Sequence, residues 1–255
     1  MTSGGLNREQ LAASAPGEGV HLAIAGAGTG KTRVLVERIH NLLATGAAQP
    51  GELLVLTFSR KAAEELQHRV AARSGELARG LTAGTFHSFC LSMLGQFRDE
   101  YMAAARLASF PRVLEAGERA ALIRELIRAR VDDFLGLPVG VIERILEELP
   151  RLKAGSREKL ERTGILRALK RLDERFREEK RLRATIDFDD MMEGMIGLLE
   201  ADEGVRESLR ARFRFILVDE FQDTSARNLR LITLLLPPGG GNLFVVGDDW
   251  QIGRA

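Results

Sequence analysis

The sequence predicts an α/β fold built on a parallel sheet, with a mostly helical subdomain inserted into it. Short apolar runs, typical of strands buried on both faces, alternate with helical patterns at both ends of the chain. Between these ends, from about residue 94 to residue 184, apolar residues keep a helical spacing without a convincing strand. The chain has 255 residues, 45% of them apolar, which is enough for one large α/β domain or two small ones.

The two ends of the chain carry the strand and helix patterns of the sheet domain. Because strands and helices alternate, the strands are expected to run parallel with helices packed on the sheet faces. The predicted strands are Val20–Ala25, Leu53–Phe58, Phe213–Val218 and Asn242–Val246, and the predicted helices between them are Lys31–Leu43, Arg60–Ala72 and Ser225–Leu236.

The middle segment is predicted to be helical and locally basic. Residues 151–183 hold 13 Lys or Arg against 6 Asp or Glu. Such an excess is most often a solvated helix face, and a basic surface that contacts phosphates is the alternative. The predicted limits are 1–95 and 186–255 for the two parts of the sheet domain and 96–185 for the insertion.

Composition excludes several classes of protein. The formal net charge of +1 gives no overall attraction to nucleic acid or to a membrane. A single cysteine, Cys90, excludes a disulfide framework. No stretch reaches the roughly 18 apolar residues of a spanning helix, and the N-terminus has no signal-peptide pattern. We therefore expect a soluble cytoplasmic protein with no membrane partner.

The segment AIAGAGTGKT, residues 23–32, predicts a phosphate-binding loop between a strand and a helix. Its glycines leave backbone N–H groups open to phosphate oxygens, and the start of the next helix favours an anion. Lys31 can reach β- and γ-phosphates, and Thr32 can offer a hydroxyl to Mg²⁺. The strict pattern has glycine where Ala25 stands, and the alternative is a glycine turn without a ligand.

Two later strands end in polar residues that suit nucleotide hydrolysis. In FRFILVDEFQDTS, Asp219 at the strand end can hold the Mg²⁺ shell, and Glu220 can polarise an attacking water. In LFVVGDDWQ, the amide of Gln251 could contact the γ-phosphate. The alternatives are a capped strand end with two exposed acids, and an ordinary loop glutamine.

These blocks, in this order, resemble the N-terminal half of superfamily 1A DNA helicases of the UvrD/Rep/PcrA type over the whole chain. That family commonly has alanine at the position of Ala25. The resemblance implies that the helical insertion corresponds to domain 1B and the flanking parts to the RecA-like domain 1A. The matching blocks are LNREQ (Q motif), AGAGTGKT (motif I), VLTFSRKAAEELQHRV (Ia), GTFHSFC (Ib), IDFDDMM (Id), VDEFQDTS (II) and VVGDDWQ (III).

The resemblance implies a site for ATP and Mg²⁺. Its catalytic residues are Glu220, Asp219, Lys31 and Gln251, and Thr32 and Asp219 hold the metal. Gln10 lies at the adenine edge in this assignment. The other implied nucleotide contacts are Ala25, Gly26, Ala27, Gly28, Thr29, Gly30, Lys31, Thr32 and Arg33.

The resemblance also implies contacts with single-stranded DNA next to a duplex junction. Stacking of bases on aromatic rings tolerates any sequence, which suits a translocase. Each phenylalanine has the alternative of a core side chain, and His87, placed in a GTFHS turn, that of a turn or core histidine. The implied DNA contacts are Thr57, Phe58, Ser59, Thr85, Phe86, His87 and Phe188.

The implied activity is ATP-dependent 3′–5′ unwinding in DNA repair, recombination or replication. In this family a second RecA-like domain follows motif III and supplies arginines to the γ-phosphate. It would come from the same protein or from a separate chain, and we expect residues 1–255 without it not to unwind DNA. Two alternatives stay open: an ATP-binding module that grips single-stranded DNA or a partner without unwinding, and an unrelated P-loop enzyme such as a small-molecule kinase.

Overall fold

The computed structural model describes residues 5–26, 28–149 and 154–248, which form two compact units. The larger unit holds the described residues up to 106 and from 191 onwards, and the smaller unit holds those between 107 and 190. Their assignment to domains 1A and 1B stays a prediction.

The secondary structure mixes strands and helices along the whole described chain. The strands are β1 (Val20–Ile24), β2 (Leu53–Thr57), β3 (Thr82–Thr85), β4 (Arg112–Val113), β5 (Thr185–Ile186), β6 (Phe215–Val218) and β7 (Asn242–Gly247). The helices are α1 (Arg8–Ser14), α2 (Lys31–Ala44), α3 (Arg60–Ser74), α4 (Phe86–Gln96), α5 (Arg98–Ala105), α6 (Ala116–Arg128), α7 (Val139–Glu148), α8 (Ala154–Arg162), α9 (Ile165–Leu182), α10 (Phe188–Ala201), α11 (Glu203–Arg212) and α12 (Ala226–Leu235).

A five-stranded sheet in the order β1-β7-β6-β2-β3 forms the centre of the larger unit. All neighbouring strands run parallel, which confirms the predicted fold class. The register aligns the strand ends, so that Ile24 lies opposite Gly247 and Thr57 opposite Thr85. The loops that follow these strands therefore leave the sheet side by side, at one edge.

The core explains why this edge is well defined. Every residue of β2 and β6 is buried, as predicted for strands covered on both faces. The prediction that β1 is also a buried strand is wrong, because β1 lies at the edge of the sheet and its Val20, Leu22 and Ile24 side chains are exposed. Helix α2 packs Leu35 and Ile39 into a cluster with Val55 of β2 and Phe244 of β7. Buried apolar side chains of this kind each contribute roughly 1.5–3 kcal/mol, so the sheet is a rigid platform for its loops.

Two local predictions are corrected. The segment GTFHS is not a turn, because β3 runs directly into α4, where the Thr85 hydroxyl accepts a hydrogen bond from the Ser88 N–H at 3.1 Å and caps the helix. The middle segment does contain a strand, since the two residues of β4 pair in parallel with β5. A strand of two residues is too short to show a hydrophobic period.

The smaller unit is mostly helical, as predicted for the insertion. Its core contains Ile127 of α6, Phe134, and Leu169 and Phe176 of α9. No helix in the described part of the chain combines the length and the apolar composition needed to cross a membrane.

Candidate functional site

Strand β1 leads through the glycine-containing loop directly into helix α2. Gly28 and Gly30 have φ angles of 76° and 92°, in the left-handed region that favours glycine. Gly30 precedes the first turn of α2 and makes no side-chain cap, so the first N–H groups of the helix remain free of a side-chain acceptor there. Such a helix start attracts anions through its N–H groups and its dipole. Ala27, the remaining predicted contact in this loop, lies outside the described residues.

The Lys31 ammonium is held at the mouth of this loop. It donates a hydrogen bond to the Ala25 carbonyl at 2.9 Å and lies 3.4 Å from the Asp248 carboxylate. Asp248 follows β7, the neighbour of β1 in the sheet, and both partners of the ion pair are largely buried. Sequence reasoning missed Asp248. Its position after a strand end, the same signal that identified Asp219, could have found it.

Asp219 and Thr32 meet at the adjacent strand end. The Thr32 hydroxyl donates to the Asp219 carboxylate at 3.2 Å, and the Glu220 N–H donates to it at 3.0 Å. Asp219 is only 4% exposed, and burial raises the pKa of its carboxyl despite these bonds and the nearby Lys31 charge. A hydroxyl beside a carboxylate is an oxygen donor set that fits Mg²⁺, which usually keeps several further ligands from water or phosphate.

Glu220 has backbone and side-chain features of a reactive residue. Its φ angle of 54° is unusual for a residue other than glycine and indicates strain at the strand end. The pKa of its carboxyl is raised, first by burial and then by the negative charges of Asp219 and Asp223. A raised pKa makes a carboxylate a better proton acceptor near neutral pH. Glu220 lines a cavity of about 570 Å³ together with Lys31 and Thr32.

Arg33, Arg69 and Gln222 also line this cavity. Arg33, which was predicted as a nucleotide contact, lines it, and so does Arg69 of α3, whose positive charge lowers the pKa of the Asp219 carboxyl. The Gln222 side chain also lines it and accepts a hydrogen bond from the Asp248 N–H at 2.9 Å. Arg69 and Gln222 were not predicted, because a polar residue inside a helix or turn shows no pattern until the fold places it.

Gln10 lies against the same loop from the side of α1. Its amide nitrogen donates to the Thr29 carbonyl at 2.9 Å, and its amide oxygen accepts from the Asn7 N–H at 2.9 Å. The Thr29 hydroxyl in turn donates to the Gly26 carbonyl at 2.7 Å. The structure therefore brings Gln10 and the loop together. Gln251 lies outside the described residues, so its γ-phosphate contact stays a prediction.

The residues predicted to contact DNA after β2 have different degrees of exposure. Thr57 is fully buried and its hydroxyl donates to the Ser59 carbonyl at 3.1 Å. Ser59 caps α3 by accepting the Ala62 N–H at 3.1 Å. The Phe58 ring is partly exposed, and its centroid lies 5.1 Å from that of Phe86. Phe86 itself is 1% exposed, so in this conformation its ring packs in the core.

The remaining predicted DNA contacts also include both buried and exposed side chains. Thr85 is buried and acts as the cap of α4, whereas His87 in the first turn of that helix is partly exposed. Phe188, the first residue of α10, belongs to the smaller unit and is 43% exposed. Of the three predicted aromatic rings, Phe58 and Phe188 offer surface for stacking. The DNA contacts stay predictions.

Comparisons with known proteins agree on one relationship. Residues 6–252 match the UvrD/REP helicase N-terminal domain. The chain is 32% identical over 262 residues to the ATP-dependent DNA helicase UvrD1 of Mycobacterium tuberculosis, an alignment that covers 97% of this chain and 33% of the relative. It is 30% identical over 250 residues to the ATP-dependent DNA helicase PcrA of Staphylococcus aureus, covering 96% of this chain and 33% of that relative. The chain thus spans about one third of the length of these relatives.

Proposed function

Since the chain belongs to the UvrD/REP helicase N-terminal domain family, we propose that it is the ATP-binding part of a 3′–5′ DNA helicase. One observation carries this proposal beyond the family match. The ends of the adjacent strands β1, β7 and β6 bring Lys31, Asp248 and Glu220 around a single cavity. This arrangement of a phosphate-binding loop, a cation and a carboxylate of raised pKa suits the hydrolysis of a nucleoside triphosphate.

Each side chain has a separate role in the proposed reaction. Lys31 and the N–H groups at the start of α2 bind the β- and γ-phosphates, which requires the ammonium to turn from Asp248 toward the nucleotide. Thr32 and Asp219 hold Mg²⁺, whose charge offsets that of the phosphates when it is bound. Glu220 orients the attacking water and accepts its proton.

The proposed coupling to movement needs a second RecA-like domain, in the same protein or in a separate chain. In helicases that work by closure of a cleft, an arginine from the facing domain typically adds about 10³ to 10⁵ to the rate. The cavity around Glu220 is polar and open to such a partner group. The relatives named above are about three times as long as this chain, which leaves room for that domain.

Single-stranded DNA is proposed to follow the edge of the sheet beyond the nucleotide cavity. Phe58 and Ser59 after β2, and His87 after β3, lie on the same edge as the phosphate-binding loop. An exposed aromatic ring beside polar groups can stack a base and bind the backbone without reading sequence. Movement of these loops with nucleotide state would couple the two ligands.

Titration of a labelled single-stranded oligonucleotide at two salt concentrations, with and without ATP, tests this proposal. We expect weak binding that falls steeply with salt, because contacts with phosphates release counterions. We also expect ATP hydrolysis to be stimulated by single-stranded DNA when a second RecA-like domain is supplied, and no strand displacement without it. ATP binding with no response to DNA would contradict the helicase proposal, and robust unwinding by these 255 residues would contradict the role of the second domain.

A further inference from the structure

Helix α1, which carries Gln10, has little apolar packing to hold it in place. Ser14 is its one buried residue, and Leu11 is 57% exposed. A helix of seven residues is not stable by itself in water. Apart from Ala13, which packs against the core cluster of the larger unit, its position beside the phosphate-binding loop therefore depends on polar contacts.

Arg38 of α2 supplies most of these contacts. It is only 4% exposed, and its guanidinium donates to the carbonyls of Ala13, Ala15 and Gly17 at 3.2, 2.6 and 2.9 Å. The same group lies 4.5 Å above the Phe244 ring of β7. Ala13 lies in the last turn of α1, at the negative end of its dipole, whereas Ala15 and Gly17 follow the helix. The guanidinium therefore satisfies one terminal helix carbonyl and fixes the segment that leaves α1.

A second contact from the same face of α2 supports this one. Asn41, three residues after Arg38, donates from its side-chain amide to the Ser14 carbonyl at 2.9 Å. Helix α2 begins at Lys31, so the helix that holds the phosphate-binding lysine also fixes the end of α1. The Gln10 amide at the other end of α1 donates to the Thr29 carbonyl of the loop. The side chain proposed to recognise the base is thus held at a set distance from the phosphate-binding groups.

We propose that Arg38 is a positioning residue for base selection: by anchoring the end of α1, it keeps the Gln10 amide at the edge of a bound adenine. This inference rests on the proposed nucleotide site. A glutamine amide can both accept from and donate to the adenine edge, whereas guanine presents two acceptors at the corresponding positions. Selection of adenine therefore depends on the angle at which the amide is held. Arg38 itself is not among the described residues that line the nucleotide cavity.

The test compares the binding of ATP, GTP and inorganic tripolyphosphate to the parent chain and to two variants, Arg38→Met and Arg38→Lys. We expect the affinity for ATP to fall about tenfold, the size of one lost hydrogen-bonding contact, and the preference for ATP over GTP to disappear. The affinity for tripolyphosphate should stay within about twofold, because one misplaced amide leaves the phosphate contacts intact. The lysine variant keeps a positive charge for the carbonyls, so it guards against a methionine variant that does not fold.

Two controls separate positioning from general loss of structure. Arg73→Met removes another arginine that binds α2, through Glu37, without touching α1, and it should leave all three affinities unchanged. Gln10→Ala should reproduce the loss of ATP preference, and combining it with Arg38→Lys should add nothing, because both act through one contact.

The outcomes distinguish this inference from the nucleotide site on which it rests. Arg38 variants that keep the preference for ATP, lose tripolyphosphate equally, or fail to fold in both forms would overturn the positioning role while the parent still binds ATP. A parent chain that binds neither ATP nor tripolyphosphate would overturn the proposed function as well.

Discussion

Two aspartates, one in each compact unit, are almost equally buried and yet their pKa values shift in opposite directions. Asp219, at the end of β6, is 4% exposed, and Asp187, beside β5, is 2% exposed. Burial is the largest influence on both and would raise both pKa values. At Asp219 burial prevails, whereas at Asp187 the hydrogen bond from the Asp190 N–H and the Lys180 ammonium together lower the pKa.

The partners of each carboxylate account for the difference. Asp187 lies 3.1 Å from the Lys180 ammonium and 3.3 Å from the Arg119 guanidinium, and it accepts the Asp190 N–H at 3.1 Å. Asp219 accepts from a hydroxyl and an N–H and forms no ion pair with any residue that the structure describes. The negative charge of Asp187 is balanced by the Lys180 and Arg119 cations of the smaller unit. Asp219 has capacity left for a cation, as expected of a group that a metal ion completes.

Replacement of Glu220 by glutamine is the strongest test of this comparison. It shows whether the carboxylates that follow β6 take part in ATP hydrolysis. In a protein that contains a second RecA-like domain, Glu220→Gln should lower the rate of ATP turnover by about 10² to 10⁴, the usual size of a general-base contribution. The amide keeps the shape of the side chain, so ATP should remain bound. Glu52→Gln, at the opposite edge of the same sheet, is the control. Turnover at the parent rate would show that Glu220 is not the base.

Replacement of Asp187 by asparagine tests how much the ion pairs of this carboxylate stabilise the fold. Loss of its charge leaves the buried Lys180 with only Asp190, and breaking a buried pair costs about 3 kcal/mol or more. Because the pKa of Asp187 is lowered, its stabilisation is present above the ordinary value of 3.8 and is lost as the pH falls through the folded pKa. Denaturant unfolding of the variant measures the loss. Asp173→Asn, in an exposed pair with Arg177, should change stability by less than about 0.5 kcal/mol.

Replacement of Lys31 by alanine tests the cation that the nucleotide cavity offers to a ligand. Hydrogen bonds to charged groups contribute about 1.5–3 kcal/mol, so the affinity for ATP should fall roughly 10- to 100-fold. Lys159→Ala, on the exposed surface of α8, should bind ATP as the parent does. Calorimetric titration with circular dichroism spectra of each variant makes the measurement. A folded Lys31→Ala chain with the parent affinity would remove the phosphate-binding assignment.

Replacement of Asp219 by asparagine should have the smallest effect of these replacements. It should stabilise the chain, whereas the replacement at Asp187 should destabilise it. A raised pKa means that the folded chain binds more protons than the unfolded chain between the two pKa values, so stability falls as the pH rises through that window. An amide carries no charge, and the variant without nucleotide should melt about 2–4 °C higher near neutral pH, for a gain of about 1 kcal/mol. Thermal melts from about pH 7 to about pH 4 should show the gain shrinking with acidity. A lower melting temperature at neutral pH would contradict the comparison.

The sequence predicted those elements whose residues show a clear pattern. Strands β2, β6 and β7 were predicted because their apolar runs are continuous, and β1 because only His21 interrupts its run. Strand β3, with the sequence TAGT, was missed because it holds neither a run nor an alternation, and only its pairing with β2 identifies it. In the same way, the excess of basic residues in the insertion does not predict that Lys180 is buried and paired with Asp187 and Asp190.

Short motifs in the sequence identified the family and predicted the phosphate-binding loop with Lys31, Thr32, Asp219 and Glu220, because these residues follow strand ends at fixed spacings. The fold was needed to show that Asp248 pairs with Lys31, that Arg69 lines the same cavity, and that Arg38 donates to the Ala15 carbonyl after α1. The difference lies in the sequence separation of the residues that interact. A motif contains residues that are only a few positions apart. By contrast, Arg38 donates to Gly17 across a sequence separation of 21 residues, and Thr32 donates to Asp219 across 187 residues. Contacts of that separation depend on the packing of the whole sheet.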